Sequence, residues 1–258
     1  MRCRPGRGRR AVRDRVRPAA AALAFLTAVP LGRRLEVDER DLGRSVPFFP
    51  AVGAFVGLLV AAVSWGVAQV LPPFPSAVLG VASGVAITAA LHLDGLGDVA
   101  DGIGAALSGR EPADPMHDPR LGTFGVAAVA LDLLLKVSVV STLLVERFPW
   151  EIVGAGAIAR LAPIVLASRL PYTGGGTSGW VGDLHPVRVA VPAAIALGVV
   201  VWTAGLAALG MVVVLALVTV LLGRWSGRHL EGVTGDVFGA AAELTETFSL
   251  AVAIGFLR

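Results

Sequence analysis

The chain has 258 residues, of which 55% are hydrophobic and only 16% are charged. A soluble domain has about 25% charged residues, so this composition excludes an ordinary soluble enzyme and favours a membrane protein. The net charge of +3 is uneven, because residues 1–17 contain eight arginines and one aspartate, and the single cysteine, Cys3, excludes an internal disulfide framework.

The arginine-rich segment at residues 1–18 is predicted to be a disordered tail. Arginine blocks at a chain terminus typically contact anionic lipid, so we expect the bilayer as a partner and no nucleic acid. The rest of the chain, residues 19–258, is predicted to form a single membrane-embedded domain. Its first apolar stretch, residues 19–29, spans roughly 16 Å as a helix, which is too short to cross a bilayer. We interpret it as an interfacial or re-entrant helix.

The apolar stretches that follow predict an all-α, polytopic membrane helical bundle of about six to eight transmembrane or membrane-embedded helices. The predicted spans cover residues 47–71, 76–93, 121–145 and 151–170, two helices within 189–222, and a last helix that ends near Leu257. The stretch 189–222 exceeds one crossing, so we divide it near residues 205–210. The segments 94–120, 171–188 and 223–236 are predicted to be polar loops.

Most of the arginines outside the tail lie in loops that fall on one side of the predicted bundle. Cytoplasmic loops of membrane proteins carry an excess of lysine and arginine, so we assign this side to the cytoplasm. The sequence therefore predicts a multi-pass protein of the cell inner (cytoplasmic) membrane, with its motif-bearing loops facing the cytoplasm.

The first acidic motif, at the end of the second predicted span, contains Asp94, Asp98 and Asp101. If this segment is helical, their spacing of four and then three residues places all three on one face. Crowded carboxylates repel each other, and hard divalent cations such as Mg²⁺ take oxygen ligands of this kind together with substrate phosphates. The motif indicates either a magnesium site or a solvated acidic turn at a helix end.

A second acidic motif, Thr234-Gly235-Asp236, begins the last predicted helix, and Glu243 follows seven residues after Asp236 on the same helical face. An acid at a helix start is commonly a cap or a dipole partner, which is an equally good interpretation of Asp236. Glu243 is harder to explain in this way, because a carboxylate inside an apolar helix is costly unless it is paired or bound to a metal.

Between the acidic motifs, Asp118-Pro119-Arg120-Leu121-Gly122-Thr123 leads into a predicted span. Backbone N–H groups at a helix start attract anions and Arg120 offers a forked contact, so the motif predicts either a phosphate site or an interfacial anchor. Lys136 and Arg160 lie deep inside predicted spans, where charges need partners, and Asp132 precedes Lys136 by one helical turn. Carboxylates for cations, with basic and amide groups for phosphate, are the combination that phosphoryl transfer requires.

These motifs resemble the three signature blocks of the adenosylcobinamide-GDP ribazoletransferase (cobalamin synthase) family. The matching residues are His92-Leu93-Asp94-Gly95-Leu96-Gly97-Asp98 with Asp101-Gly102, then Asp118-x-Arg120-Leu121-Gly122-Thr123-x-Gly125, then Thr234-Gly235-Asp236 with Gly239-Ala240 and Glu243. The order and separations of the blocks also fit, and the resemblance covers about residues 20–257. It implies that residues 19–258 form a membrane-embedded catalytic domain.

The resemblance implies a Mg²⁺-dependent enzyme of the last steps of cobalamin biosynthesis. Such an enzyme joins adenosylcobinamide-GDP to α-ribazole or α-ribazole 5′-phosphate and releases GMP, with the ribazole 3′-hydroxyl attacking the phosphate attached to cobinamide. The implied metal ligands are Asp94, Asp98, Asp101 and Asp236. The implied catalytic residues are Asp98, Asp236 and Glu243. The implied contacts to substrate and phosphate are Arg120, Gly122, Thr123, Lys136, Arg160 and Thr234.

The chain departs from the family pattern at a few positions. Gly97 and Val99 stand where alanine and threonine are usual, and Glu231 replaces the first residue of a glycine pair. The loop at 173–179 lacks the basic and acidic residues expected there, which leaves its substrate contacts open.

Two other enzyme classes and a transporter fit parts of the pattern. CDP-alcohol phosphotransferases and aspartate-rich prenyltransferases also hold Mg²⁺ with spaced aspartates in membranes, but the former expect Ala-Arg where Asp98-Val99 stands. A transporter would use Asp132, Lys136 and Arg160 as an ion path and would leave the acidic motifs unexplained. The oligomeric state is open, and a homo-oligomer is compatible with the sequence.

Overall fold

The structure is a computed structural model, and it describes residues 7–30, 39–116, 118–145, 149–175 and 186–256. These residues form helices joined by short turns, with one pair of bridged residues, Tyr172 and Val233. In chain order the helices are α1 (Arg7–Leu26), α2 (Glu39–Ser45), α3 (Phe49–Ala68), α4 (Pro73–Ile87), α5 (Leu91–Leu107), α6 (Ala113–Met116), α7 (Thr123–Leu143), α8 (Trp150–Ala159), α9 (Ala162–Ala167), α10 (Pro186–Ala204), α11 (Ala207–His229) and α12 (Gly235–Gly255). The predicted all-α architecture is confirmed.

Five segments of the described chain are long and apolar enough to cross a membrane as they stand. They are Asp41–Ala68, Thr123–Leu143, Trp150–Ala167, Ala207–His229 and Gly235–Gly255. A sixth span, formed by α4 and α5 together, would bend by 89° between its two helices. Two shorter apolar helices, Val16–Leu26 and Arg188–Ala204, accompany them. The predicted polytopic membrane bundle is therefore confirmed.

The connection between α4 and α5 turns the first acidic motif away from the direction of α4. Ala89 and Ala90 both have positive φ, 50° and 59°, which is rare for residues with a Cβ and ends α4 abruptly. A new helix begins at Leu91 and is bent by 89° from α4, so it lies outside the five segments that are long and apolar enough to cross a membrane as they stand. The prediction of a polar loop that begins at residue 94 is wrong for this segment, since the aspartates lie on a 17-residue helix.

The predicted span at 151–170 is interrupted at Arg160. Helix α8 ends at Ala159 and α9 begins at Ala162, because Pro163 has no N–H to donate to the carbonyl of Ala159 and its ring crowds that turn. Arg160 itself is only 3% exposed, so the break lies inside the bundle and presents a buried guanidinium.

The long apolar stretch at 189–222 is divided as predicted. Helix α10 ends at Ala204 and Gly205 follows with a φ of 55°, a conformation that glycine adopts without strain. Helix α11 then continues to His229, beyond the predicted end, because the polar residues after Leu222 are compatible with helix although they are not apolar.

Helix α1 begins at Arg7, so it extends into the segment predicted to be a disordered tail, while residues 1–6 lie outside the described ranges. Near the end of the arginine-rich segment, Nε of Arg17 lies 3.7 Å from Oδ2 of Asp41. This pair ties α1 to the start of the first span. The apolar part of α1, Val16–Leu26, is short, in agreement with the predicted non-crossing helix.

Glycines allow the central helices to approach closely. A Cβ at Gly53 of α3 would overlap the carbonyl oxygen of Gly156 of α8, and a Cβ at Gly156 would overlap Gly53 in turn. Gly57, one turn further along α3, lies in the same way against the backbone of Ile152. The four-residue spacing of small residues therefore marks a close helix contact, as is typical in lipid.

A second close contact joins the two acidic motifs. A Cβ at Gly95 of α5 would lie 2.6 Å from the carbonyl oxygen of Asp236 and 3.0 Å from its Cα. A Cβ at Gly239 of α12 would lie 3.3 Å from the Cα of Gly95. Helices α5 and α12 therefore pack backbone against backbone, and motifs that are far apart in the sequence meet at one end of the bundle.

Candidate active site

The carboxylates of the first motif share one face of α5 but differ in their surroundings. Asp94 is exposed, Asp98 is partly buried, and Asp101 is 9% exposed. Asp236 lies at the start of α12, next to Gly95. Burial and the neighbouring carboxylates, of which Asp236 has the largest effect, raise the pKa of Asp98 to about 6. We call these four aspartates the acidic face, and they concentrate negative charge at one end of the bundle.

Asp101 is engaged with the start of α7. Its two carboxylate oxygens accept hydrogen bonds from the backbone N–H groups of Gly122 and Gly125, at 2.6 and 2.9 Å. A Cβ at Gly122 would lie 2.6 Å from Oδ1 of Asp101, and a Cβ at Gly125 would overlap Oδ2, so both positions require glycine. The anion site predicted at this helix start is therefore filled by a carboxylate of the protein itself.

Among the described residues, no group of three Asp, Glu, His or Cys side chains is arranged so that it could hold a metal ion by itself. The donor chemistry nevertheless fits Mg²⁺, since Asp94, Asp98 and Asp236 offer hard oxygen atoms in a region of excess negative charge. Proteins usually hold Mg²⁺ through one or two carboxylates together with water and substrate phosphates. The acidic face suits a site of that shared kind, and its assignment to a metal stays a prediction.

A second group of charged side chains lies inside the bundle, apart from the acidic face. Lys136 of α7 donates a hydrogen bond to Glu243 of α12. Its Nζ also lies 3.7 Å from Oδ2 of Asp132 and 3.6 Å from Oε1 of Glu246. Arg160, at the break between α8 and α9, donates to Glu246. We call these five residues the buried ion network, and it links α7, α8 and α12.

The structure thus separates the predicted site residues into two groups. It brings Asp94, Asp98, Asp101 and Asp236 together at the acidic face, and it places Glu243, Lys136 and Arg160 in the buried ion network. The pairing of Lys136 with Asp132, which their spacing suggests, is present. Glu243 is 6% exposed, and about 10 Å of helix separate it from Asp236 along α12.

Sequence reasoning missed Glu246, which contacts both cations of the buried ion network. A signal was available, because Glu246 follows Glu243 by three residues and shares its face of an otherwise apolar helix. His92, at the start of α5, is also buried, and its Nδ1 has no hydrogen-bond partner within the described part of the chain.

Arg120 lies at the surface and is paired locally with Asp118. Its backbone N–H and its Nε both donate to Oδ1 of Asp118 at 3.0 Å, and a terminal guanidinium nitrogen donates to Oδ2 at 2.9 Å. These hydrogen bonds lower the pKa of Asp118 to about 2. Because 86% of the Arg120 side chain is exposed, it can exchange this contact for a phosphate at little cost.

Two open clefts flank the acidic face. The first, of about 340 Å³, lies between the loop after α9, the end of α11 and the start of α12, and it is lined by Asp236 and Thr234. The second, of about 470 Å³, lies between α5, α6 and the start of α7, and it is lined by Arg120 and Thr123. Thr234 also caps α12, since its hydroxyl oxygen accepts a hydrogen bond from the N–H of Val237 at 3.4 Å. The first cleft therefore borders the acidic face at Asp236, and the second borders it at Asp101.

Known proteins are similar to this chain over most of its length. The adenosylcobinamide-GDP ribazoletransferase of Geotalea daltonii is 38% identical over 240 residues, which cover 91% of this chain and 96% of the relative. The protein of the same name from Novosphingobium aromaticivorans is 37% identical over 243 residues, which cover 90% of this chain and 94% of that relative. No solved structure matches the chain. The profile of the cobalamin-5-phosphate synthase family matches residues 18–254, and the chain belongs to that family.

Proposed function

We propose that this protein is a membrane-embedded adenosylcobinamide-GDP ribazoletransferase. It joins adenosylcobinamide-GDP to α-ribazole or α-ribazole 5′-phosphate, giving adenosylcobalamin or its 5′-phosphate and releasing GMP. Family membership and the names of the relatives support this activity. The structural observation that carries it is the backbone contact between Gly95 and Asp236, which unites two acidic motifs beside two open clefts.

The proposed reaction is a displacement at phosphorus. The 3′-hydroxyl oxygen of ribazole forms a bond to the phosphorus attached to cobinamide, the bond from that phosphorus to the bridging oxygen breaks, and GMP leaves with that oxygen. The hydroxyl proton needs an acceptor within hydrogen-bond reach. Asp236 is our candidate, because its carboxylate lines the first cleft at the edge of the acidic face.

We propose that the reaction depends on Mg²⁺ and that Asp94 and Asp98 hold the ion, with Asp236 as a further ligand or as the proton acceptor. A bound Mg²⁺ would supply charge neutralisation on the diphosphate. Oxygens of the substrate would complete the coordination, since the described carboxylates do not form a closed site. Asp101 would contribute negative charge while it fixes the start of α7.

We assign the buried ion network a positioning role. Lys136 and Arg160 are buried and already bonded to Glu243 and Glu246, so in this arrangement neither cation is available to a phosphate. Their pairing would keep α7, α8 and α12 in register under the acidic face. Substrate phosphates would then contact Arg120, which is exposed at the second cleft, and hydroxyl and backbone groups of the clefts.

We also propose that the acidic face lies on the cytoplasmic side of the inner membrane. Helices α7 and α12 both begin beside it and α11 ends there, so the loops at this end belong to one side of the bundle. Exposed arginines are concentrated at this end: Arg110, Arg120, Arg224 and Arg228. The positive-inside rule supports a cytoplasmic position. A reporter fused between α5 and α6 should read cytoplasmic, and a periplasmic signal would overturn the orientation.

The activity is tested with purified full-length protein, Mg²⁺, adenosylcobinamide-GDP and α-ribazole, by measuring GMP release. Asp98→Asn should lower the rate by about 10²- to 10³-fold, because it removes charge stabilisation at the reacting diphosphate. Glu151→Gln, the same chemical change at the far end of the bundle, is the control and should retain activity. Folded wild type that fails to release GMP but releases CMP from a CDP-alcohol would assign the chain another activity.

A further inference from the structure

A large groove lies between α9 and α11, away from both clefts of the candidate active site. It has a volume of about 650 Å³, and its walls are mainly aliphatic, with Val165 and Leu166 on one side and Val212, Leu215 and Val220 on the other. The lining residues of α11 extend over roughly 18 Å of helix, from residue 212 to residue 224. The groove shares no lining residue with the clefts that flank the acidic face.

Two arginines line the same groove. Arg169 follows the end of α9 by two residues, and Arg224 follows the apolar part of α11. Both are exposed, and neither forms an ion pair with an acidic residue in the part of the chain that the structure describes. Gly223, next to Arg224, also lines the groove, and a Cβ there would lie 3.2 Å from the side chain of Leu166.

This combination matches the chemistry of an anionic phospholipid. Basic pockets between membrane helices on the cytoplasmic side bind acidic lipid headgroups, while aliphatic walls bind acyl chains. We propose that the groove binds one anionic phospholipid, with its phosphate on Arg169 and Arg224 and an acyl chain along α11. The site is separate from the proposed transferase site and does not depend on it.

Charge and shape favour this occupant over the alternatives. A soluble phosphate would satisfy the arginines but would leave the aliphatic walls without a partner. A second copy of the chain would bring the same two arginines into its interface, where like charges repel. A phospholipid satisfies both parts of the groove, and the bilayer supplies it at high concentration.

The test is native mass spectrometry of purified full-length protein exchanged with phosphatidylglycerol and phosphatidylcholine of matched acyl chains. Each basic residue near the surface contributes roughly a fivefold preference for anionic lipid, so the wild type should prefer phosphatidylglycerol by about 25-fold. The double variant Arg169→Gln/Arg224→Gln should lose this preference. Arg44→Gln, at another exposed arginine near the start of the first span, should keep this preference. A wild type without preference, or a double variant that retains it, would overturn the proposal.

A second pair of variants tests the groove without altering charge. Ala216→Trp fills the groove from α11 and should abolish binding of phosphatidylglycerol, whereas Leu217→Trp adds the same indole to the neighbouring exposed position outside it. Thermal unfolding in detergent shows whether each variant is folded. Binding that survives Ala216→Trp, displacement of the lipid by inorganic phosphate, or a dimer that dissociates with this substitution would each overturn the phospholipid assignment.

Discussion

Replacing Gly95 by alanine tests the contact that brings the two acidic motifs together. The added Cβ would lie 2.6 Å from the carbonyl oxygen of Asp236 and 3.0 Å from its Cα, well inside ordinary van der Waals contact. Both neighbouring atoms belong to the backbone of α12, so relief requires the helices to separate by somewhat less than ~1 Å. Overpacking typically costs ~1–3 kcal/mol, which equals or exceeds the ~1 kcal/mol that alanine gains over glycine in a helix.

Separation of α5 from α12 should affect turnover more than it affects stability. Misplacing catalytic groups by about 1 Å can cost ~100-fold in rate, so we expect Gly95→Ala to lower kcat by about 10- to 100-fold. GMP release and thermal unfolding in detergent measure the two effects in the same preparation. The protein should remain folded, because the expected destabilisation is small relative to the stability of a typical domain.

Two matched glycine-to-alanine substitutions provide a reference for the size of the effect on turnover. A Cβ at Gly239 would lie 3.3 Å from its nearest neighbours across the same contact, so Gly239→Ala should have an intermediate effect. A Cβ at Gly66 of α3 would have nothing within 4 Å, so Gly66→Ala changes helix propensity alone and should leave turnover unchanged. Equal turnover in the Gly95→Ala and Gly66→Ala proteins would refute the proposed role of the helix contact.

Three further predictions concern the surroundings of the acidic face. Glu246→Gln removes the carboxylate that contacts both cations of the buried ion network. It should lower the Tm and reduce the free energy of unfolding by up to about 3–5 kcal/mol. An unchanged Tm would contradict the network. Asp101→Asn should lower the free energy of unfolding by about 1–2 kcal/mol, because an amide oxygen can replace only one of the two oxygens that accept N–H groups of α7. A Tm equal to that of the wild type would contradict this prediction. Removal of divalent cations with EDTA should abolish GMP release and added Mg²⁺ should restore it, whereas turnover that persists in EDTA would exclude the proposed metal dependence.

The helical membrane fold is predictable from the sequence because it depends on hydropathy and length. Apolar stretches of about 20 residues locate the spans, and one stretch that exceeds a single crossing is divided at Gly205 as expected. The bend before α5 is different, because it occurs at Ala89 and Ala90, which are good helix formers with no turn signal. The bend places α5 against α12, and this contact between distant segments is not contained in hydropathy.

The acidic face is the part of the candidate site that spacing predicts best. Carboxylates at four- and three-residue intervals share a helix face in any context, so their grouping on α5 follows once the segment is helical. Their partners do not follow from spacing. Asp101 accepts N–H groups from residues that are 21 and 24 positions away, and this pairing depends on how α5 crosses the start of α7.

The buried ion network shows the same limit. The pair formed by Asp132 and Lys136 is local and is predicted by its spacing, whereas Lys136 and Glu243 are 107 residues apart in the sequence. Only the arrangement of α7, α8 and α12 determines which buried cation meets which carboxylate. A single sequence predicts that such charges need partners, but it does not identify them.

The most direct test of a shared site is a double-mutant cycle on kcat/KM with Asp98→Asn, Asp236→Asn and the double variant. If the two carboxylates act on one ion and one diphosphate, the double variant should lose little more activity than the more damaged single variant. The distant Glu151→Gln should retain activity by itself, so combining it with Asp98→Asn should give the rate of Asp98→Asn alone. Fully multiplicative losses for Asp98 and Asp236 would contradict the central claim that α5 and α12 build one catalytic site.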